Sequence, residues 1–283
     1  MGSIHNLPEF NKLVVSGSRI EHLTGNLARV DPDPACVAFG IAMRRWKAFN
    51  EPLRAPSDES LLASTRRSRS KLTRLIYANS WQYRDLRGVL IPPKFLTLTF
   101  KENITSLSEA NRYLTKFVRS VNLSFKSTLV QPLKYVCVPE FQERGAVHFH
   151  MVIFNFPFAD KVFSRLRRFW PDRFELKTIS RNSGVGYVSD YLIKYVTKQT
   201  YDSRFFNKKR YSVSRFLLSP LVSRDPVFNH LTVRSVSGFN SRYYSLVLPI
   251  GLLFCNVYLL PDGFRLKYKF LPPVPFKLSR GSE

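Results

Sequence analysis

Apolar and polar residues follow regular patterns through the middle of this chain, and these patterns predict its secondary structure. KFLTLTF (94–100) is rich in β-forming residues and predicts a strand. Apolar residues recur every three or four positions over 106–125, which is typical of an amphipathic helix. Ser106, followed three residues later by Glu109, fits the capping box that begins such a helix.

Two strands follow, LKYVCVPEF (133–141) and AVHFHMVIFNF (146–156), and the short polar QERG between them predicts a hairpin. A short basic helix (161–170), a strand (174–179) and another helix (185–199) come next. The order β-α-β-β-α-β-α predicts an α+β fold. We expect an antiparallel five-stranded sheet with helices on one face, related to the split βαβ arrangement.

The remaining residues divide the chain into four expected segments. These are an irregular N-terminal extension of unassigned role (1–58), a basic helix with a linker (59–93), the α+β domain (94–218) and a β-rich C-terminal extension (219–283). The apolar stretch YYSLVLPIGLLFCNVYLL is interrupted by Pro249 and Gly251. Two buried strands around a turn are therefore expected there rather than a membrane span.

The charge of the chain predicts a polyanionic partner. Lys and Arg number 44 against 20 Asp and Glu, which gives a formal net charge of +24. Nucleic acid is the expected polyanion, because phosphates neutralised by the protein release counterions and this release drives binding. Five cations crowd a helix expected over 60–79, where they either contact phosphates or form a solvated face: Arg66, Arg67, Arg69, Lys71 and Arg74.

His148 and His150 share one face of a predicted strand, because side chains two residues apart point the same way. The chain has only five histidines, so this pair favours metal binding over two unrelated core histidines. Pairing the hairpin about Arg144 places Glu140 opposite His148, with Glu143 in the turn as the alternative third ligand. Two histidines and a carboxylate with open positions suit Mg²⁺ or Mn²⁺.

Three tyrosines spaced four residues apart, Tyr187, Tyr191 and Tyr195, form one ridge of the last predicted helix. Helical geometry places them at the margin of the buried stripe rather than at its centre. Lys194 and Lys198 each follow a tyrosine by three residues. A phenol with a pKa of about 10 is a poor nucleophile, so a nearby cation and a metal on the phosphate would both assist its attack on phosphorus.

The motifs VPEFQERGAVHFHMVIF and YLIKYVTK resemble those of the HUH endonucleases, the rolling-circle replication initiators of single-stranded DNA phages and plasmids. The likeness is to the two-tyrosine type found in microvirus replication proteins. It covers about 94–215, with FLTLTF similar to the first motif strand and KKRYSVSR similar to a stretch that often follows the tyrosine helix. The resemblance implies an HUH-like fold and an enzyme acting on single-stranded DNA at a replication origin.

The resemblance also implies a role for each candidate residue. The metal ligands would be His148, His150 and Glu140; the nucleophiles Tyr191 and Tyr195, accompanied by Lys194 and Lys198; and the DNA-binding residues would include Lys208, Lys209 and Arg210. One tyrosine would nick the strand, form a 5′-phosphotyrosine link and leave a 3′-OH to prime synthesis. The second would cut and rejoin the displaced circle. Because Tyr187 is a third tyrosine on the same helix, the resemblance leaves open which two of the three act as nucleophiles.

Further expectations concern partners and compartment. The chain contains no G-x-x-x-x-G-K-[ST] motif, so a host or partner helicase would separate the strands and a DNA polymerase would extend the 3′ end. The N-terminal residues lack the pattern of a secretory signal, and the three scattered cysteines suggest a reducing compartment. The protein is therefore expected in the cytoplasm of a bacterial host, without a membrane partner.

Two alternatives remain open at the level of sequence. The same residues would serve a relaxase or a single-strand transposase of the HUH type. A non-catalytic single-stranded nucleic-acid-binding protein could instead use Phe95, Phe100 and Phe149 as stacking platforms. That second alternative leaves the histidine pair and the tandem Tyr-x-x-Lys units without a role.

Overall fold

Two five-stranded antiparallel sheets and four α-helices make up the described part of the protein in a computed structural model. The structure describes residues 10–25, 57–126, 129, 131–157, 166–170, 172–179, 184–238, 241–248 and 251–260. The helix predicted over 161–170 lies partly outside these residues. None of the described helices is long and apolar enough to cross a membrane.

The elements have the following bounds. The strands are β1 Phe10–Ser16, β2 Arg19–Gly25, β3 Lys94–Thr99, β4 Tyr135–Phe141, β5 Val147–Ile153, β6 Phe174–Thr178, β7 Ser212–Val213, β8 Leu221–Ser223, β9 Ser241–Leu248 and β10 Gly251–Leu259. The helices are α1 Asp58–Asn79, α2 Leu107–Ser124, α3 Gly184–Lys198 and α4 Pro226–Val236, and a 3₁₀ turn spans Ser203–Phe205.

The central sheet has the strand order β6-β3-β5-β4-β7, with every neighbouring pair antiparallel. The predicted five-stranded antiparallel sheet and the α+β class are confirmed, and the architecture is compatible with an HUH endonuclease-like fold. The β4–β5 hairpin has the predicted register, with Glu140 opposite His148. On the other side of β5, Thr97 of β3 pairs with His150.

Helix α2 covers one face of this sheet. Its hydroxyl cap is the predicted one, since the Ser106 side chain accepts a hydrogen bond from the Glu109 backbone N–H at 3.4 Å. Leu114 and Phe117 from the helix are buried in the same cluster as Phe149 and Met151 from β5. Burial of such side chains supplies the main stabilisation of the layer, at about 1.5–3 kcal/mol each.

Helices α1 and α3 cover the opposite face, so helices lie on both faces of the sheet rather than on one as predicted. Leu72 of α1 and Leu192 of α3 are buried in one cluster with Val138 and Val152 of the sheet. The reason lies in β5, where residues on both faces are buried. A central strand that buries both faces needs a layer on each side.

The second sheet has the order β8-β1-β2-β10-β9 and joins segments from both ends of the described chain. The predicted pair of C-terminal strands is present as the antiparallel β9–β10 hairpin. The N-terminal extension, expected to be irregular, instead contains the β1–β2 hairpin. Its turn uses Gly17 at φ +55, where an added Cβ would lie 2.2 Å from the backbone O of Tyr77. This short hairpin gains its order by pairing with distant strands, which no local pattern displays.

Helix α1 lies against both sheets and connects them. Toward the second sheet, Arg74 Nε donates to Glu21 Oε2 at 3.1 Å. Toward α3, the hydroxyl groups of Thr65 and Thr200 are 3.1 Å apart. The close approach at Gly186, whose added Cβ would lie 3.0 Å from the Tyr77 hydroxyl, brings α3 down onto α1. These contacts fix the rotation of α3 above the histidine face of the sheet.

Candidate active site

The two histidines of β5 lie side by side under helix α3. Their ring centroids are 4.6 Å apart, as their positions on one face of the strand predict. Nδ1 of His148 is 2.9 Å from the hydroxyl of Thr99 on the neighbouring strand, which fixes the ring orientation. His150 is buried, and its Nδ1 has no hydrogen-bond partner among the described residues.

Glu140 links the histidines to the end of helix α3. Its Oε2 lies 2.9 Å from His150 Nε2, and its Oε1 lies 2.7 Å from Lys198 Nζ. The Glu140 side chain is 19% exposed, and Lys198 is exposed to solvent. A carboxylate that is largely buried and bonded to two groups is a rigid acceptor in a defined position.

The electrostatics of the site favour neutral imidazoles beside an ionised carboxylate. Burial lowers the pKa of His148 to about 4, and burial also lowers the pKa of His150. Burial acts to raise the pKa of Glu140, but the hydrogen bonds from His150 and Lys198 outweigh it and the pKa is lowered. Near neutral pH both histidines therefore keep a lone pair, the state that metal binding requires.

Two of the predicted tyrosines meet the histidine pair. The ring of Tyr195 stacks on His150 with centroids 3.7 Å apart, and Tyr191 contacts His150 edge-on at 5.9 Å. The two phenol rings contact each other edge to face at 5.1 Å. Lys198 Nζ lies 5.3 Å from the centre of the Tyr195 ring. Six of the seven predicted catalytic and metal-binding residues therefore form one continuous cluster, with His148 at one end.

The depth of the tyrosines differs from the prediction. Tyr191 is half-buried, as expected for the margin of the apolar stripe, but Tyr195 is buried and belongs to the core cluster of that face. Tyr195 packs in one cluster with residues of α1 and of the sheet, and its ring lies over His150. Lys194 is exposed. The Tyr187 side chain lies outside what the structure describes.

The residues that would hold a divalent ion are His148, His150 and Glu140. As the side chains stand, no group of three or more His, Cys, Asp or Glu within the described residues could hold one. The donor set nevertheless fits: His150 Nε2 and Glu140 Oε2 are 2.9 Å apart. Adjacent ligands of an octahedral ion with bonds of about 2.1 Å are separated by about 3 Å. Metal binding remains a prediction, supported by this separation and by the neutral imidazoles.

An open polar groove of about 520 Å³ leads to the Glu140 end of the cluster. Glu140 and Lys198 line it together with Glu143 and Arg144 from the hairpin turn. Glu143, the alternative third ligand, is exposed, whereas Glu140 contacts His150 directly. Geometry therefore favours Glu140 over Glu143 as the carboxylate of this site.

The predicted DNA-binding cations fall into two groups. The exposed ones, which remain available for phosphate contacts, are Arg66, Arg67, Arg69, Lys71, Lys208 and Lys209. Arg74 instead forms an ion pair with Glu21 and joins α1 to the second sheet. Arg210 is buried, and its guanidinium donates to the Gln199 backbone carbonyl at 2.6 Å. Both of these arginines have structural partners, which corrects their assignment to the DNA surface.

Sequence reasoning missed two residues that position the site. Thr99 orients His148, and Gln199 donates from its side-chain amide to the Pro139 carbonyl at 2.6 Å, next to Glu140. Thr97 and Thr99 alternate with apolar residues in FLTLTF, so they were readable as the polar face of that strand. The pairing of β3 with β5 that brings this face to the histidines could not be predicted from the sequence near Thr97 and Thr99. Nothing in the sequence around Gln199 indicates its contact.

Comparison with known families places the cluster in a functional context. Residues 93–200 match the family model of the replication-associated protein ORF2/G2P. The match supports a replication initiator-like protein and is consistent with a rolling-circle replication protein. No significant match was found among curated proteins or among solved structures. The matched segment contains β3 through α3, and therefore every member of the cluster.

Two of the three aromatic rings suggested as stacking platforms for bases are buried. Phe100 and Phe149 are 4% and 1% exposed, so neither ring can stack with a base. Phe95 alone of the three is partly exposed. The non-catalytic binding protein suggested as an alternative thereby loses two of its three supposed base-stacking rings.

Proposed function

We propose that this protein nicks and rejoins single-stranded DNA at a replication origin through a 5′-phosphotyrosine intermediate, with Mg²⁺ or Mn²⁺ as cofactor. The observation that carries the proposal is the contact of Tyr191 and Tyr195 with His150, which in turn meets Glu140. Candidate nucleophiles and candidate metal ligands thus lie within one side-chain contact of each other.

A divalent ion held by His148, His150 and Glu140 would withdraw charge from the scissile phosphate and lower the repulsion that a nucleophile meets. The protein's own residues would position the metal ligands and activate the tyrosine. Thr99 holds His148 in its orientation, and the carboxylate of Glu140 holds His150. Lys198, close to both Glu140 and the Tyr195 ring, would favour the phenolate form of a tyrosine.

The proposed chemistry is a pair of balanced phosphoryl transfers. In the first, a tyrosine oxygen forms a bond to phosphorus while the bond from phosphorus to the 3′ oxygen breaks. The tyrosine proton is lost and the departing 3′ oxygen gains one. In the second, an attacking hydroxyl forms a new bond to the same phosphorus and loses its proton, while the tyrosine–phosphorus bond breaks and the tyrosine oxygen regains a proton. No net bond energy is consumed, so the chain needs no nucleotide cofactor for joining.

The different burial of the two tyrosines supports different roles. Tyr191 is half-buried and lines a cavity beside strand β6, whereas Tyr195 is 7% exposed and stacks on His150. The more accessible Tyr191 is the better candidate for the first attack on an incoming strand. Tyr195 would act once the first step has brought the strand against His150.

DNA at an origin is the partner that the family match suggests, and the exposed cations of α1 would bind its phosphates. A host or partner helicase and a DNA polymerase would complete replication. A relaxase or single-strand transposase would use the same cluster, but the match to a replication-associated family favours an initiator.

A nicking assay on circular single-stranded DNA tests the proposal. The full-length protein is incubated with circular phage-type DNA in Mn²⁺ or in EDTA, and the covalent product is digested and mapped by mass spectrometry. We expect Mn²⁺-dependent linear DNA with a nucleotide on Tyr191 or Tyr195. Intact circles under all conditions, or cleavage without any protein adduct, would contradict the proposal.

A further inference from the structure

A cavity of about 260 Å³ lies between helix α3 and the edge strand β6, beside the proposed active site. Tyr191 and Val188 of α3 form one wall, and Phe95 of β3 lies beneath them. Glu175 and Lys177 of β6 stand at its rim. The volume is below the roughly 300–1,000 Å³ of pockets that take drug-sized ligands, so the cavity suits a single small ring system.

The lining of the cavity favours an uncharged planar ligand. Lys177 Nζ and Glu175 Oε1 are 2.8 Å apart, and both side chains are mostly exposed. A phosphate would meet the Glu175 carboxylate as well as the ammonium group, so the two rim charges offset each other. A nucleobase could form hydrogen bonds with both side chains, because it presents donors and acceptors along one edge. Its flat face can also contact an aromatic ring such as Phe95.

The sheet register connects the cavity to the histidines. Across β6, β3 and β5, Glu175 pairs with Thr97 and Thr97 pairs with His150. Glu175 therefore lies two strands away from His150 on the same face of the sheet. Tyr191 belongs to both places, because it lines the cavity and contacts His150.

We propose that this cavity takes one unstacked base of single-stranded DNA, next to the phosphate that Tyr191 attacks. The inference rests on the proposed nicking function and adds to it a site that positions the strand. Phe95 stacks on the base, Glu175 accepts a hydrogen bond from its amino or imino group, and Lys177 donates to a ring nitrogen or carbonyl. Bases in a duplex are stacked and paired, so the cavity selects strands that are already separated.

Photocrosslinking tests this directly. The full-length protein is mixed, in EDTA so that no cleavage occurs, with an oligodeoxythymidine in which 5-iodouracil replaces thymine throughout. After irradiation, crosslinked peptides are mapped by mass spectrometry. We expect crosslinks on Phe95 or Tyr191, and their loss when the oligonucleotide is annealed to oligodeoxyadenosine. Crosslinks confined to residues outside the cavity, or equal yields with the duplex, would overturn the inference.

A double variant with a charge-matched control strengthens the test. Glu175→Ala with Lys177→Ala should lower the crosslink yield at Phe95 and Tyr191 roughly fivefold, the effect of about one net hydrogen bond. Glu59→Ala with Lys116→Ala removes the same two charges from exposed helical positions and should leave that yield unchanged. Thermal unfolding of both variants checks that they are folded. An unchanged yield in the rim variant also overturns the inference.

The outcomes separate this inference from the proposed function. Crosslinks in the cavity require no cleavage, so a protein that gives them but never nicks DNA would contradict only the catalytic proposal. A protein that nicks DNA with Mn²⁺ but gives no crosslink in the cavity would contradict only the base site.

Discussion

The imidazole of His150 and the phenol ring of Tyr195 lie nearly parallel, with planes 14° apart and centroids separated by 3.7 Å. This stack joins the central strand to helix α3 at the middle of the candidate active site. It also makes the two tyrosines unequal, because Tyr195 is covered by the contact while Tyr191 meets His150 only edge-on.

The first prediction concerns the order in which the tyrosines act. Tyr191→Phe should lower formation of the first covalent adduct by more than about a thousandfold, the scale seen when a catalytic nucleophile is removed. Tyr195→Phe should leave the first nick and impair circle closure, while the retained ring keeps the stack on His150. Adduct formation and circle release are measured separately by gel electrophoresis. An adduct mapped to Tyr187 would contradict this assignment.

The second prediction concerns the histidines. His148→Ala or His150→Ala should abolish metal-dependent cleavage while single-stranded DNA binding in EDTA changes little, because two neutral imidazoles add little to a net charge of +24. Cleavage and fluorescence-anisotropy binding are compared for each variant. His230→Ala, on the exposed surface of α4, is the matched control and should cleave normally. Normal cleavage by either active-site variant would refute the metal-site reading.

A third prediction distinguishes the two candidate carboxylates. Glu140→Ala should lower cleavage and be partly rescued at high Mn²⁺, because two histidines remain to bind the ion. Glu143→Ala should have little effect, since Glu143 is exposed and Glu140 is the carboxylate in contact with His150. Cleavage rates are measured across a Mn²⁺ titration. The opposite ranking of the two variants would move the third ligand to the turn.

The fourth prediction concerns the basic surface of α1. Binding of single-stranded DNA should weaken steeply with salt, with each phosphate contact contributing about 0.7 to the slope of log K against log salt. Arg66→Gln with Arg69→Gln should reduce that slope by about 1.4 if both contact phosphates. Arg234→Gln, an exposed arginine on α4, is the control and should not change it. An unchanged slope in the α1 variant would show that Arg66 and Arg69 do not contact phosphates.

A fifth prediction concerns acid stability. Burial acts to raise the pKa of Glu21, but hydrogen bonds and charge from Arg74 and Arg19 outweigh it, so the pKa lies below 4.5. A lowered carboxyl pKa stabilises the fold above the unfolded value and loses that contribution as pH falls through the folded one. The free energy of unfolding should therefore decline below about pH 4.5, and Glu21→Gln should flatten that decline. Urea denaturation at several pH values measures the free energy of unfolding. An identical decline in the variant would show that Glu21 does not contribute to the loss of stability in acid.

The sequence predicted best those features that depend on neighbours along the chain. The Ser106 cap, the hairpin register at Glu140 and His148, and the spacing of the tyrosines all follow from local geometry. The burial of Tyr195 was not predictable, because the rotation of α3 is set by its packing on α1.

Long-range pairing explains the other differences. Strand β2 is ordered between β1 and β10, and β10 lies more than 220 residues further along the chain. Lys208, Lys209 and Arg210 read as one basic run, yet only Arg210 turns inward to a carbonyl. A charge pattern alone does not distinguish an inward guanidinium from its solvated neighbours.

The second sheet has a consequence for how the molecule is made. Because the outer edge of β2 pairs with β10, this sheet is complete only after nearly all of the described chain has been synthesised. Contacts of such high sequence separation are slow to form. Until then β2 offers an open strand edge to other chains, which is a template for aggregation. Shortened versions that end before Ser241 should consequently aggregate during expression even though the catalytic segment itself is intact.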